Sequence, residues 1–198
     1  ILLRQFRNVF RDEELKTYVC IVVASIALIC LNIRHLYATF EETFRHASFT
    51  VSTIITTTGF ASTDFDLWPA FSKGIIMFLM VVGACAGSTA GGIKIIRIII
   101  CAKSVFNELV LMLHPRAVLG VRIGKQIVPD NKVRQALSFI FIYILLVVIA
   151  MTCYSLLGAD VDTALGSSIS MLSNVGPGTG ITGPAGTFAV VPPAGKWL

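Results

Sequence analysis

Two segments of the chain combine hydroxyl side chains with glycine and carry no charge. One is STIITTTGF at residues 52–60, and the other is ISMLSNVGPG at residues 169–178. Glycine allows backbone angles that turn successive carbonyl oxygens to one side, and such oxygens can replace the hydration shell of a cation. Because neither segment has an acidic side chain, the pattern favours a monovalent cation over calcium. We predict that both segments are re-entrant loops that line a cation pore.

The two segments belong to an internal repeat. A shift of 117 residues places Gly59 on Gly176 and superposes the order hydroxyl, apolar, apolar, hydroxyl, then glycine. Each glycine also follows the start of an uncharged apolar run, by 42 residues in the first unit and 41 in the second. A repeated spacing indicates a common structural unit more strongly than either segment does alone.

The composition places the chain in a lipid bilayer. Hydrophobic residues make up 55% of it and charged residues only 14%, with a mean hydropathy of +0.81. Uncharged runs cover residues 17–33, 74–93 and 135–159, and an α-helix needs roughly 20 residues to cross the hydrocarbon core. We predict an all-α integral membrane protein with three spanning helices, built from repeated units of helix, re-entrant pore loop and helix.

The Lys and Arg side chains are concentrated in two segments of the chain. Most of the 16 Lys and Arg residues lie in residues 1–16 and 94–134, whereas residues 34–73 and 160–198 carry few. The positive-inside rule makes the first two segments cytoplasmic, so both pore loops enter from outside. This topology explains the net charge of +5 better than binding to nucleic acid does.

These features divide the chain into four parts. We predict a cytoplasmic interfacial helix at residues 1–16, a pore repeat at 17–97, a basic cytoplasmic linker at 98–134 and a second pore repeat at 135–198. The repeat register places Trp197 on Met80, within the outer apolar run of the first unit, so the outer helix of the second unit is truncated. We expect the native polypeptide to continue at both ends.

The first pore loop has an alternative interpretation. Nine of the seventeen residues at 47–63 are Ser or Thr, and a plain transmembrane helix could bond these hydroxyls to its own backbone. A half-helix that enters the membrane, breaks at a glycine and returns as extended backbone suits them better where it lines water. The prolines at 177 and 184 favour this second arrangement because they prevent helix continuation in the other repeat.

A stretch of small residues, GACAGSTAGG at residues 83–92, has two interpretations. Its glycines at four-residue spacing are typical of a close-packed GxxxG helix face. Four glycines in ten residues also favour a break in the helix, since each costs roughly 0.8 to 1 kcal/mol relative to alanine. We favour the second interpretation, in which the helix is broken at a point below the pore loops. The stretch does not match a phosphate-binding P-loop, because Ile93 separates Gly92 from Lys94.

Three motifs resemble one family. TTTGF at residues 56–60, GACAGSTAGGIKIIR at 83–97 and SNVGPG at 173–178 are similar to the Trk/Ktr/HKT superfamily of potassium uptake proteins, most of all its bacterial TrkH family. In that superfamily four covalently linked units of potassium-channel type surround one pore, and this chain resembles the third unit and most of the fourth. The resemblance implies potassium as the transported ligand. It assigns selectivity-filter roles to Thr57, Thr58, Gly59, Asn174, Val175 and Gly176.

The resemblance also implies a gate and partners. The gate would be an intramembrane loop beneath the filter, with Gly83, Gly87, Ser88, Thr89, Gly91 and Gly92. Lys94 and Arg97 would then lie at the cytoplasmic mouth, or simply anchor the helix end by the positive-inside rule. The implied assembly is a homodimer in the bacterial cytoplasmic (inner) membrane, bound to a cytosolic ring of nucleotide-binding regulatory subunits.

Two other functions are less favoured. An ion-coupled secondary transporter with re-entrant hairpins would predict inverted repeats, whereas these two units run in the same orientation. An enzyme is disfavoured because a nucleophile such as Ser88 needs a base within hydrogen-bond reach, and the three histidines lie in loops outside the helices. The five cysteines lack metal-binding spacing, and no cofactor is predicted.

Overall fold

The computed structural model describes residues 12–114, 117, 119–124, 126–191 and 195. Within these residues a short antiparallel hairpin, β1 (Arg122–Ile123) and β2 (Gln126–Ile127), separates two groups of helices. The α-helices are α1 (Glu13–Ile33), α2 (Phe40–Ile55), α3 (Ala70–Val82), α4 (Ile95–Leu113), α5 (Asp130–Leu156) and α6 (Val161–Ser173). Short 3-10 helices cover Phe65–Leu67, Gly180–Thr182 and Phe188–Val190.

In the part of the chain that the structure describes, two helices are long and apolar enough to cross a membrane. They are α1 and α5, and they contain the uncharged runs predicted to span at 17–33 and 135–159. Large apolar side chains of α5, such as Phe141 and Ile144, are exposed. Lipid tails are the natural environment for such a surface.

The uncharged run at residues 74–93 is not one continuous helix, and it is interrupted in the small-residue stretch where a break is favoured. Helix α3 ends at Val82, α4 begins at Ile95, and the residues between them are not helical. Gly83 and Gly92 have φ angles of +66° and +76°, which glycine adopts without the steric penalty of a side chain. The small-residue stretch therefore forms a loop between two helices.

Several predicted boundaries also differ. Residues 13–16 belong to α1, which the Asp12 carboxylate caps by accepting from the Glu14 amide at 2.9 Å; the rest of the predicted interfacial helix, residues 1–11, lies outside the described residues. Helix α4 runs across the predicted start of the basic linker, and α5 begins at Asp130 rather than at residue 135. Trp197 lies outside the described residues.

The two units share one apolar core. Ile33, Val51 and Leu79, from α1, α2 and α3, are fully buried. Ile169 of α6 and Val175 just beyond it belong to the same cluster, because α6 packs against both α3 and α5. The C-terminal ends of α2 and α6 are therefore held close together.

Side-chain caps start both of these shorter helices. The Thr39 hydroxyl accepts from the Glu42 amide at 3.2 Å and the Asp160 carboxylate from the Thr163 amide at 3.4 Å, satisfying amides that the helix leaves free. Hydrogen bonding from Thr163 lowers the pKa of the Asp160 carboxyl below its ordinary value. Each helix also has acidic residues in its first turn, which interact favourably with the positive end of the helix dipole. The negative end of the dipole lies at the C-terminus of each helix.

Candidate functional site

The chain leaves α2 and α6 through the same unusual backbone. Thr57 and Asn174, which the repeat register superposes, have φ angles of +53° and +60°. Two residues later Gly59 and Gly176 have φ angles of +79° and +113°. A strand whose alternate residues have positive φ turns its carbonyl oxygens to one side, unlike an ordinary extended strand. Both predicted filter segments have this property.

Equivalent backbone hydrogen bonds hold the two segments. The amides of Thr57 and Asn174 donate to the carbonyls of Ile54 and Met171, at 3.0 and 3.1 Å. One residue further on, the Thr58 amide donates to the Thr53 carbonyl at 2.9 Å. In the second unit Val175 donates in the same way to Ser170, at 3.0 Å. These amides therefore point back toward the helices, and their hydrogen bonds are made within each unit.

The two segments touch each other at one glycine. A β-carbon built on Gly59 would lie 2.1 Å from the Val175 carbonyl oxygen, whereas one built on Gly176 meets nothing within 4 Å. Val175 is buried, with 3% of its surface exposed. Gly59 is therefore required by close backbone approach as well as by its φ angle, whereas at Gly176 the described residues leave the φ angle as the reason for glycine.

The loop between α3 and α4, residues 83–94, lies against both segments. The Gly91 amide donates to the Thr57 hydroxyl at 3.2 Å. A β-carbon on Gly91 would lie 1.7 Å from the carbonyl oxygen of Ser173, the last residue of α6. The loop is closed at its base, where the amides of Ile93 and Lys94 donate to the last two carbonyls of α3, at 2.9 and 3.0 Å.

The predicted gate residues do not share one environment. Gly83, Gly91 and Gly92 lie at the packed base of the loop, where an added β-carbon would approach backbone atoms within 3 Å. Gly87, Ser88 and Thr89 form an exposed turn, and a β-carbon on Gly87 meets nothing within 4 Å. Gly91 touches both predicted filter segments, whereas Gly83 and Gly92 pack against each other and against the end of α3.

Charged side chains also contact the loop at residues 83–94 and the helix that follows it. The Lys94 ammonium donates to the carbonyls of Ser88, at 2.9 Å, and of Ala90. The Glu14 carboxylate of α1 accepts from the Ala86 amide at 2.6 Å. The guanidinium of Arg97 lies 3.9 Å above the ring of Phe139 on α5. Lys94 and Arg97 therefore contact the loop and a neighbouring helix rather than acting only as charges at a helix end.

Sequence reasoning missed an ion-pair network that joins the two units. The Lys73 ammonium of α3 lies 3.0 Å from the Asp162 carboxylate of α6 and 3.5 Å from Asp66. Asp66 also accepts from the Gly180 amide at 3.0 Å, beyond the second filter segment. The sequence shows only a lone lysine, Lys73, beside an apolar run. Its partner Asp162 lies 89 residues away, and no local sequence pattern links the two residues.

A second missed contact lies at the end of α6. The Tyr143 hydroxyl of α5 is hydrogen-bonded to the Ser173 hydroxyl at 2.7 Å, and both residues are buried. In the repeat register Tyr143 corresponds to Ile26, which has no hydroxyl. The second filter segment is thus tied to its spanning helix by a bond that the first unit cannot make.

Two helices of membrane-spanning length, with shorter helices packed between them, define the class as an α-helical membrane protein. The chain belongs to the TrkH family, described as cation transport proteins, whose model matches residues 18–198. This finding confirms the resemblance drawn from the three motifs. The description of the family also names its members as transport proteins.

Individual relatives agree with this assignment. The Trk system potassium uptake protein TrkH of Halomonas elongata is 32% identical over 98% of this chain, and TrkI of the same organism is 40% identical over 76%. The crystal structure of the potassium transporter TrkH from Vibrio parahaemolyticus matches 95% of the chain with a TM-score of 0.86 and 33% identity. The chain spans only 40% of that structure and of the Halomonas TrkH.

Proposed function

We propose that this chain forms part of the pore of a Trk-type potassium uptake system, in which residues 57–59 and 174–176 are two strands of the selectivity filter. The observation that carries the proposal is the matched backbone of the two segments, with positive φ at equivalent residues and equivalent hydrogen bonds to the preceding helices. The potassium uptake named for the relatives supports the choice of ion.

In this proposal the ion moves without any bond being made or broken. Carbonyl oxygens of the two strands replace part of the hydration shell of potassium. The C-terminal ends of α2 and α6 add partial negative charge from the helix dipoles, which stabilises a cation near the strands. Neutral ligands bind the ion weakly enough that it leaves again, as conduction requires.

The loop at residues 83–94 is proposed to be the gate. It lies against the ends of both filter strands through Gly91, so a cation leaving the filter on that side meets the loop first. Lys94 and Glu14 hold it in this position. Displacement of the loop would open the path to the cytoplasm, with the strands entered from outside as the distribution of cations predicts.

Ion uptake and current recordings test the pore. Bacterial cells that lack other potassium uptake are expected to regain rubidium uptake when they express the full-length protein, with competition by potassium but not by sodium. Reconstituted protein should give unitary currents, because ions pass a filter without a conformational cycle for each ion. Uptake that is coupled to a second ion and gives no unitary current would favour the ion-coupled secondary transporter instead.

We also propose that the full protein is a homodimer in the bacterial inner membrane and docks a cytosolic nucleotide-binding regulator on its basic segment. Within that segment Lys94 and Lys103 are engaged inside the chain, Lys94 with the loop and Lys103 with Glu13 at 2.5 Å. Among the described residues of the segment, the cations with exposed side chains are Arg122, Lys132 and Arg134.

Charge reversal tests this docking surface. Changing Arg122, Lys132 and Arg134 together to Glu is expected to abolish nucleotide-dependent control of uptake while the pore itself stays open to ions, because like charge then repels the regulator. Arg45→Glu, at an exposed position in α2, is the matched control. Regulation that survives the triple reversal would contradict the docking proposal.

A further inference from the structure

The second filter strand depends on a side-chain hydroxyl that the first strand does not use. Ser170 is fully buried in α6. Its carbonyl accepts from the Val175 amide at 3.0 Å, and its hydroxyl accepts from the Gly176 amide at 3.2 Å. One serine therefore holds two successive amides of the strand.

The equivalent residue of the first unit behaves differently. The carbonyl of Thr53 accepts from both amides, from Thr58 at 2.9 Å and from Gly59 at 3.4 Å. Its hydroxyl is buried and has no hydrogen-bond partner among the described residues. The repeat thus places a hydroxyl at the same position twice, and only the second one binds the filter.

Packing makes this difference important. Gly59 is braced by direct contact with the Val175 carbonyl, whereas the open side of Gly176 meets no atom within 4 Å. The Ser170 hydroxyl supplies a restraint from the helix side, through the Gly176 amide, which lies in one rigid peptide plane with the Val175 carbonyl.

We propose that Ser170 is a positioning residue of the filter, whose hydroxyl fixes the orientation of the Val175–Gly176 peptide, and with it the Val175 carbonyl, and thereby contributes to the choice of potassium over sodium. This inference rests on the proposed pore. A carbonyl held in place cannot close in on the smaller sodium ion, whereas a mobile one can adjust to it. Thr53 is expected to have no such role.

The test compares Ser170→Ala with Thr53→Val in the reconstituted full-length protein. Loss of the Ser170 hydroxyl is expected to lower the potassium-to-sodium permeability ratio by about threefold to tenfold, the effect of one hydrogen bond. Ser170→Thr, which keeps the hydroxyl, should restore the ratio. Thr53→Val keeps the shape and removes an unpaired hydroxyl, so it should leave the ratio unchanged and the melting temperature unchanged or higher.

The outcomes separate this inference from the proposed function. A wild-type protein that passes no potassium refutes the pore itself. A conducting wild type with an unchanged permeability ratio in Ser170→Ala, or with an equal loss in Thr53→Val, overturns the role of Ser170 alone. If Ser170→Ala folds too poorly to be recorded, Ser170→Cys provides the second variant, because its weak acceptor should lower the ratio while the thiol fills the buried site.

Discussion

Replacing Gly59 with serine is expected to abolish potassium-selective uptake, whereas Gly176→Ser should reduce it less. At Gly59 the new β-carbon would lie 2.1 Å from the Val175 carbonyl oxygen, so the two filter strands must move apart. The φ angle of +79° adds strain of about 1 to 2 kcal/mol for any residue with a side chain, roughly a tenfold penalty on the native strand conformation. At Gly176, with a φ angle of +113°, the strain applies, and a new β-carbon meets no atom of the described residues within 4 Å.

Rubidium uptake at matched membrane levels, with sodium uptake measured in parallel, checks this order of effects. Gly74→Ala is the matched control, since a β-carbon at Gly74 in α3 meets nothing within 4 Å and alanine favours the helix. The control should keep wild-type uptake. Equal uptake by wild type, Gly59→Ser and Gly176→Ser would show that these segments are packing elements and not a filter.

The second large effect is expected at Gly91, in the loop beneath the filter. In Gly91→Ala the methyl group would lie 1.7 Å from the Ser173 carbonyl oxygen, and ordinary van der Waals contact requires a displacement of roughly 2 Å. The same displacement breaks the hydrogen bond from the Gly91 amide to the Thr57 hydroxyl. We therefore expect the loop to leave the filter and uptake without the regulator to rise severalfold.

Gly87→Ala makes the same chemical change at the exposed turn of the loop, where the methyl group meets nothing within 4 Å. Uptake by this control, measured in cells without the regulator, should match wild type. If Gly91→Ala lowers uptake, or if the two variants behave alike, the loop does not act as a gate. The pair thus separates an effect of loop position from an effect of glycine content.

The sequence predicted the elements that depend on local chemistry. The runs that became α1 and α5 are apolar throughout, so their length and composition sufficed to identify them. The run at 74–93 has the same hydrophobic character, yet its glycines interrupt the helix from Gly83 onward. Helix α3 ends at Val82 because the last carbonyls of the helix accept hydrogen bonds that close the base of the loop. Hydropathy along the sequence gives no information about these bonds.

The candidate site was accessible from sequence only in part. Residue types, the repeat register and the family motifs singled out the segments that we propose as filter strands and the glycine loop. They could not show that Gly91 touches both Thr57 and Ser173 while Gly87 touches neither. Two glycines of one motif differ in this way because their surroundings come from other helices, far away in the chain.

What the sequence by itself determined is the membrane environment, the family and the two-unit register, because each follows from composition or from spacing along the chain. The tertiary structure alone decided which side chains act. It pairs Lys73 with Asp162 and ties Tyr143 to Ser173. The physical reason is that close packing brings together residues of distant segments within one hydrogen-bond length, and no local pattern encodes that distance.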